Sequence, residues 1–115
     1  MEVIKVYDTT GSRAVMDTPD GDVICNKIKK YFVDGEDVVL DFEKVDTILS
    51  MFLNSAVAPL YENYSSEFLQ SHLSVVNMSE EDKITMKRVN ARAKQFYLEK
   101  REGSEFIEGD IYGEN

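Results

Sequence analysis

The sequence predicts a small α/β protein, with a mixed sheet of about four strands and helices packed on it. The run from Val38 to Phe42 is too short for a buried helix and has the apolar, β-branched composition of a strand. From Phe52 onward, apolar residues recur at three- and four-residue steps, the spacing of a helix that lies on a core. The strand lacks alternating polar residues, so we expect a central strand covered by helices on both faces.

Cap and breaker residues define the remaining elements. Thr18 and Pro19 begin a helix, with Thr18 as the N-cap and proline at the first helical position. Pro59 should kink the central helix, or relax its bonding, because proline lacks a backbone donor and crowds the preceding turn. The other predicted elements are strands at residues 3–7 and 73–77, a helix over residues 51–64, and a last helix that Ser79 caps and Gly103 ends.

Ser50 stands just before the apolar stripe of the central helix. A serine there suits an N-cap, because its hydroxyl can accept a bond from an unpaired N–H group of the first turn. A phosphate on the same hydroxyl would lie at the positive end of the helix dipole. Both interpretations, a structural cap and a phosphorylation site, stay open.

Three short pieces of this chain resemble a known family. They are Gly11-Ser12-Arg13, Leu40-Asp41-Phe42 and Ser50-Met51-Phe52, and the order of elements agrees over residues 3–98. The chain resembles the small bacterial or phage STAS-like proteins of uncharacterised function, which are related to the anti-sigma-factor antagonists. The resemblance implies a STAS-like fold and regulation through protein binding, often to a histidine-kinase-like ATPase or an anti-sigma factor in partner-switching systems.

The resemblance also implies a docking edge at the start of the central helix. We expect Ser50, Phe52 and Asn54 to form this edge, with Ser55 beside them in an exposed polar patch. STAS antagonists that switch by phosphorylation carry Asp-Ser-Ser-Gly-Leu here, whereas this chain has Leu-Ser-Met-Phe-Leu. Because the acceptor position falls on Met51, Ser50 is the candidate that remains for phosphorylation.

The turn formed by Gly11, Ser12 and Arg13 is a candidate anion site. Backbone N–H groups and a guanidinium suit a phosphate or a carboxylate. The alternative is that Arg13 pairs with an acid of the chain itself, either Asp41 or Asp46.

The charge of the chain limits its partners. With 22 acidic and 13 basic residues, the net charge is -9, which argues against direct nucleic-acid binding because phosphate contacts need a basic face. The charge favours a second hypothesis, an acidic inhibitor of a nucleic-acid-binding protein, encoded by a phage or mobile element.

Motifs of catalysis and of cofactor or metal binding are missing from the sequence. It has no glycine-rich phosphate loop, no nucleophile elbow, and only one cysteine and one histidine. We therefore predict a protein that is not an enzyme and uses no cofactor and no metal. No apolar run approaches the ~20 residues that span a bilayer, and no secretory signal is present, so we predict a cytoplasmic protein without membrane contact.

Residues 1–102 are predicted to form one domain and residues 103–115 an acidic tail. From Ser104 to Asn115 the chain carries four acids and no bases. The tail also contains the apolar residues Phe106, Ile107, Ile111 and Tyr112. It is either a disordered terminus or a linear motif that binds a groove on this protein or on another.

Overall fold

The structure is a computed structural model that describes residues 1–108, with side chains through residue 100. The chain is an α/β protein, as predicted. Its strands are β1 (Glu2–Lys5), β2 (Ala14–Val15), β3 (Val38–Asp41), β4 (Thr47–Ile48) and β5 (Leu73–Val76). Its helices are α1 (Val6–Thr10), α2 (Thr18–Val33), α3 (Ser50–Ala56), a 3-10 helix (Ala58–Glu62), α4 (Ser66–His72) and α5 (Glu80–Glu108).

The strands form two separate parallel sheets. The first has the order β1-β3-β5, with β3 in the centre as predicted. The second consists of β2 and β4, which are two residues long each. The predicted single mixed sheet of about four strands is therefore wrong in its arrangement. Strands β2 and β4 follow the carboxyl ends of β1 and β3 along the chain, and they pair with each other instead of joining the first sheet.

Helices cover only one face of the three-stranded sheet. Both connections, β1 to β3 and β3 to β5, move across the sheet in the same direction. Connections between parallel strands are right-handed, so both sets of helices lie on the same face. Ile4 and Leu40 are buried on that face, whereas Val3 and Val76 on the other face are 49% and 42% exposed. The prediction of helices on both faces is wrong for this reason.

Capping residues confirm some helix starts and correct others. The N–H of Asp82 donates to the hydroxyl of Ser79 over 3.1 Å, so the predicted cap of α5 is confirmed. At α2 the cap is Asp17, whose carboxylate accepts from the N–H of Asp20 at 3.3 Å, and Thr18 is the first helical residue instead. The Asp17 carboxylate, one residue earlier, therefore accepts the capping bond that we predicted for the Thr18 hydroxyl.

The central helix breaks near Pro59, as predicted. Helix α3 ends at Ala56, and Pro59 lies in the first turn of the 3-10 helix that follows. The first turn is where a missing N–H has least effect on helix bonding.

Helix α5 is longer than the sequence predicts. It continues through Gly103 to Glu108, so the predicted end at Gly103 is wrong. A single helical glycine costs only about 1 kcal/mol, and its neighbours are good helix formers. The division into a domain and a tail after residue 102 stays a prediction, and residues 109–115 of that tail lie outside the described residues.

Helices α2 and α3 make their closest approach at Gly21. A Cβ atom added there would lie 2.6 Å from the carbonyl oxygen of Phe52 and 1.7 Å from the hydroxyl of Ser55. The Ser55 hydroxyl is also 3.1 Å from the carbonyl oxygen of Thr18, so it links the two helices. Only glycine allows the two backbones to pack this closely.

Gly21→Ala should destabilise the protein by about 2–4 kcal/mol, because the new methyl group overlaps backbone atoms that cannot move independently. The measurement is the free energy of unfolding in urea. Asn26→Ala, at an exposed position of the same helix, is the matched control. If Gly21→Ala were as stable as the control, or more stable through its better helix propensity, the close packing of α2 on α3 would be contradicted.

Candidate functional site

The short β2–β4 sheet brings the two predicted sites to the same end of the molecule. The carbonyl oxygen of Arg13 accepts bonds from the N–H groups of Asp46 and Thr47, at 2.7 and 3.2 Å. The N–H of Leu49 donates to the carbonyl oxygen of Val15 over 3.0 Å. The segment that contains Gly11, Ser12 and Arg13 therefore runs beside the segment that begins α3.

Most polar groups of the predicted anion site are engaged within the chain. Gly11 ends α1 in the left-handed conformation, with φ 71°, and its N–H donates to the carbonyl oxygen of Tyr7. The Ser12 hydroxyl donates to the carbonyl oxygen of Ala14 at 2.7 Å. The guanidinium of Arg13 pairs with the carboxylate of Asp46 at 2.8 Å, which confirms one of the two acids proposed for it. An anion at this turn would compete with Asp46, and the anion site stays a prediction.

Helix α3 begins at Ser50, one residue earlier than the predicted Ser50 cap implies. Leu49 is extended and takes the N-cap position, because its N–H is held by Val15 in line with the β2–β4 pairing. The carbonyl oxygen of Leu49 accepts from the N–H groups of Phe52 and Leu53. Ser50 is the first helical residue, is exposed, and makes no capping bond. The prediction that Ser50 caps this helix is wrong.

The three residues of the predicted docking edge do not share one surface. Ser50 and Asn54 are exposed, but Phe52 is 0% exposed and belongs to the core. Ser55, expected in the same polar patch, is also buried, against α2. A helix that packs on a core buries the positions spaced by three and four residues, and in α3 these include Phe52 and Ser55. Phe52 therefore supports the edge from beneath and cannot contact a partner in this conformation.

Three exposed apolar residues surround Ser50 instead. Leu49 and Met51 are 45% and 57% exposed, and Met16 is 47% exposed. Val15 pairs with Ile48, so Met16 comes next to Leu49 where the β2–β4 sheet leads into α3, and Met51 follows in the first turn of that helix. We call the set of Met16, Leu49, Ser50, Met51 and Asn54 the α3 edge. The sequence offered no signal for it, because the run from Ile48 to Leu53 is apolar at every position except Ser50.

A shallow cavity continues the α3 edge towards α5. It has a volume of about 250 Å³ and is lined by Asn54, Ala58, Val89 and Phe96, among others. Phe96 is a large exposed side chain on α5. Asn54 thus stands between the apolar cluster at the start of α3 and a second apolar surface.

The carboxylates of the central unit have separate partners. The side-chain amide of Asn77 donates to Asp41 at 2.8 Å, and the N–H of Glu43 donates to the same oxygen at 2.9 Å. These bonds, the one from Asn77 first, hold the pKa of Asp41 below its ordinary value. Asp46 pairs with Arg13, so the two acids are not arranged as a catalytic pair.

The single histidine is also engaged. His72 Nδ1 lies 2.6 Å from a carboxylate oxygen of Asp37, and its ring rests on Phe68. Among residues 1–100, no cluster of three or more histidine, cysteine or acidic side chains is placed to hold a metal ion. In the described part of the chain, no helix has the length and hydropathy needed to cross a bilayer.

The comparison with known families supports the resemblance of this sequence to the STAS-like proteins. Residues 20–83, which are more than half of the chain, match the family model described as "STAS-like domain of unknown function (DUF4325)". The chain belongs to this STAS-like family. The matched STAS-like region includes Ser50, Phe52 and Asn54 but not Gly11, Ser12 and Arg13. No curated protein and no solved structure matches the chain.

Asn77→Ala should raise the pKa of Asp41 towards its ordinary value, because the variant removes the strongest bond to the ionised carboxylate. The measurement is an NMR titration of the Asp41 carboxyl carbon. A depressed pKa in the folded state stabilises the protein above the ordinary pKa of about 4, and this contribution is lost as the pH falls through the folded value.

The variant should therefore lose less stability than the parent protein on acidification. Asn26→Ala is the control, and it should leave the Asp41 titration unchanged. If the pKa of Asp41 were the same in Asn77→Ala and in Asn26→Ala, the conclusion that Asn77 lowers this pKa would be contradicted.

Proposed function

We propose that this STAS-like protein is a non-enzymatic regulatory module that binds a protein partner through the α3 edge. The observation that carries the proposal is the exposure of three apolar residues, Met16, Leu49 and Met51, where the β2–β4 sheet leads into Ser50 and α3. Single exposed apolar residues are common, but a contiguous cluster with polar residues beside it is typical of protein interaction surfaces.

The α3 edge is held rigidly by its surroundings. From one side, the β2–β4 sheet holds Leu49 through its bond to Val15. From beneath, Phe52 and Leu53 are fully buried and anchor the first turn of α3 in the core. A surface that is already ordered loses less conformational entropy when a partner binds, so even a small apolar cluster on it can contribute usefully to affinity.

The proposed partner belongs to the classes that the STAS resemblance implies, a histidine-kinase-like ATPase or an anti-sigma factor in the cytoplasm. Ser50 lies within the apolar cluster, so a partner that covers Leu49 and Met51 also covers Ser50. A phosphate on Ser50 would then lose its hydration among the apolar side chains of the interface. Phosphorylation at Ser50 would weaken binding, as expected for a switch.

The second candidate function, an acidic inhibitor of a nucleic-acid-binding protein, is favoured by the net charge of -9. The two functions differ in their dependence on salt. The five residues of the α3 edge are uncharged, so binding through them should change little between low and moderate salt. Binding of a basic partner by the acidic surface should weaken strongly over the same range.

Ser50→Asp and Met51→Asp should each lower the affinity for the partner by roughly tenfold or more, because both place a charge at the centre of the buried contact. The partner is first captured from native lysate and purified, and affinity is then measured by titration calorimetry at two salt concentrations. Both side chains are exposed, so the free energy of unfolding should change by less than about 0.5 kcal/mol.

Val33→Asp is the matched control, because Val33 is an exposed apolar residue at the far end of α2. This variant should bind normally. Normal binding by the two α3 variants would refute the proposed edge. A stability loss of several kcal/mol for Ser50→Asp, with binding intact, would show that Ser50 has only a structural role.

A further inference from the structure

A second surface, which shares no residue with the α3 edge, has the features of a peptide-binding groove. It lies beside β5, between the 3-10 helix, α4 and α5, and has a volume of about 260 Å³. We call it the β5 groove. Its apolar lining comes from Val57, Leu60, Leu69, Leu73, Val75 and Met86.

Two lysines stand on the α5 side of the β5 groove. Lys83 makes one exposed contact with Glu80 at 3.2 Å, and Lys87 has no ion-pair partner among residues 1–100. Asn90 also lines the groove, and its side-chain oxygen is buried without a hydrogen-bond partner in the described part of the chain. In a chain of net charge -9, two neighbouring lysines over an apolar floor favour a ligand that is both acidic and apolar.

The backbone of β5 offers a further means of recognition. Strand β5 pairs only with β3, so its other edge has no strand beside it in the described part of the chain. The carbonyl oxygen of Val76 accepts from Phe42, which turns Val76 towards β3. Because backbone groups of successive residues point to opposite edges, the N–H and carbonyl of Val75 point outward. An extended peptide can pair with this edge and place alternate side chains in the groove.

We propose that the β5 groove binds residues 109–115 of a second copy of this chain. That segment, Gly-Asp-Ile-Tyr-Gly-Glu-Asn, has two large apolar residues, Ile111 and Tyr112, between the acids Asp110 and Glu114, and it has no basic residue. The apolar pair matches the apolar floor, and the acids match Lys83 and Lys87.

The length of α5 requires that the groove and the segment belong to different copies. Asn90, the groove residue of α5 nearest to its C-terminal end, and Glu108 lie 18 residues apart in this helix, a distance of about 27 Å. Tyr112 follows Glu108 by four residues, which span at most about 14 Å when fully extended. Neither Ile111 nor Tyr112 can therefore return to the groove of its own copy.

The position of α5 suits an exchange between copies. After Ala93, its side chains through Lys100 are exposed except for a partly buried Tyr97, and the molecule is 50 Å along its longest axis. This part of the helix, through Lys100, thus extends beyond the core. Two copies related by a two-fold axis can each place the segment in the groove of the other, which gives a closed dimer and not an open chain of copies.

The first test uses a fluorescent peptide of residues 104–115 and the full-length protein, with binding followed by anisotropy. At concentrations below those at which it dimerises, the parent protein has an empty groove and should bind the peptide, and Lys87→Glu should bind it roughly tenfold more weakly or worse. Lys94→Glu, at an exposed position of the same helix outside the groove, is the matched control and should bind as the parent does. Equal loss in both lysine variants, or no binding by the parent, would refute the proposal.

The second test is complementation between two variants in sedimentation velocity. The groove variant is Lys83→Glu/Lys87→Glu, and the segment variant is Ile111→Ser/Tyr112→Ser. Circular dichroism checks that both variants fold. The parent should dimerise as concentration rises, each variant alone should be a monomer, and an equal mixture should form a heterodimer through the one intact contact. A parent that stays monomeric, a dimer that survives both changes, or a mixture that stays monomeric would overturn the proposal.

Discussion

The order of strands in the main sheet constrains the rest of the molecule. Because β1, β3 and β5 follow one another in parallel, both crossovers advance in the same direction, and right-handed connections place all their helices on one face. Helices α2 and α3 must then pack side by side over a narrow sheet. Their close approach at Gly21 makes that possible, since any larger residue would meet the backbone of Phe52. The same order leaves one sheet face uncovered and makes β5 an outer strand.

The surfaces that we assign to binding follow from this arrangement. Phe52 is pressed against the core, so the outer side of the first turn of α3 presents Ser50, Met51 and Asn54. The β2–β4 sheet adds Leu49 and Met16 to the same surface. The outer edge of β5 lies open beside the apolar groove next to α5. The uncovered sheet face exposes Val3 and Val76 beside the charged residues Lys5 and Asp41, and no complementary segment indicates what would bind there.

Local patterns in the sequence were enough to predict the fold class, the family, the strand β3, the break near Pro59 and the cap at Ser79. Each depends on a few adjacent residues or on one periodic stripe. Some errors arose where distant segments decide the outcome, and others where a local signal was too weak to decide it. The cap of α3 moved to Leu49 because that residue bonds to Val15, and Gly103 did not end α5 because good helix formers surround it. The exposed and buried members of the run from Ile48 to Leu53 could not be told apart, since the run is almost uniformly apolar.

A photo-crosslinking scan in native lysate tests the central claim, that the α3 edge is the partner surface, most directly. A photoreactive amino acid is placed in turn at Met51 on the α3 edge, at Val3 on the uncovered sheet face, and at Lys87 in the β5 groove. Crosslinked products are identified by mass spectrometry. We predict that position 51 captures one protein partner that positions 3 and 87 do not capture. Capture of the same partner from position 3 or 87, with none from position 51, would contradict the account.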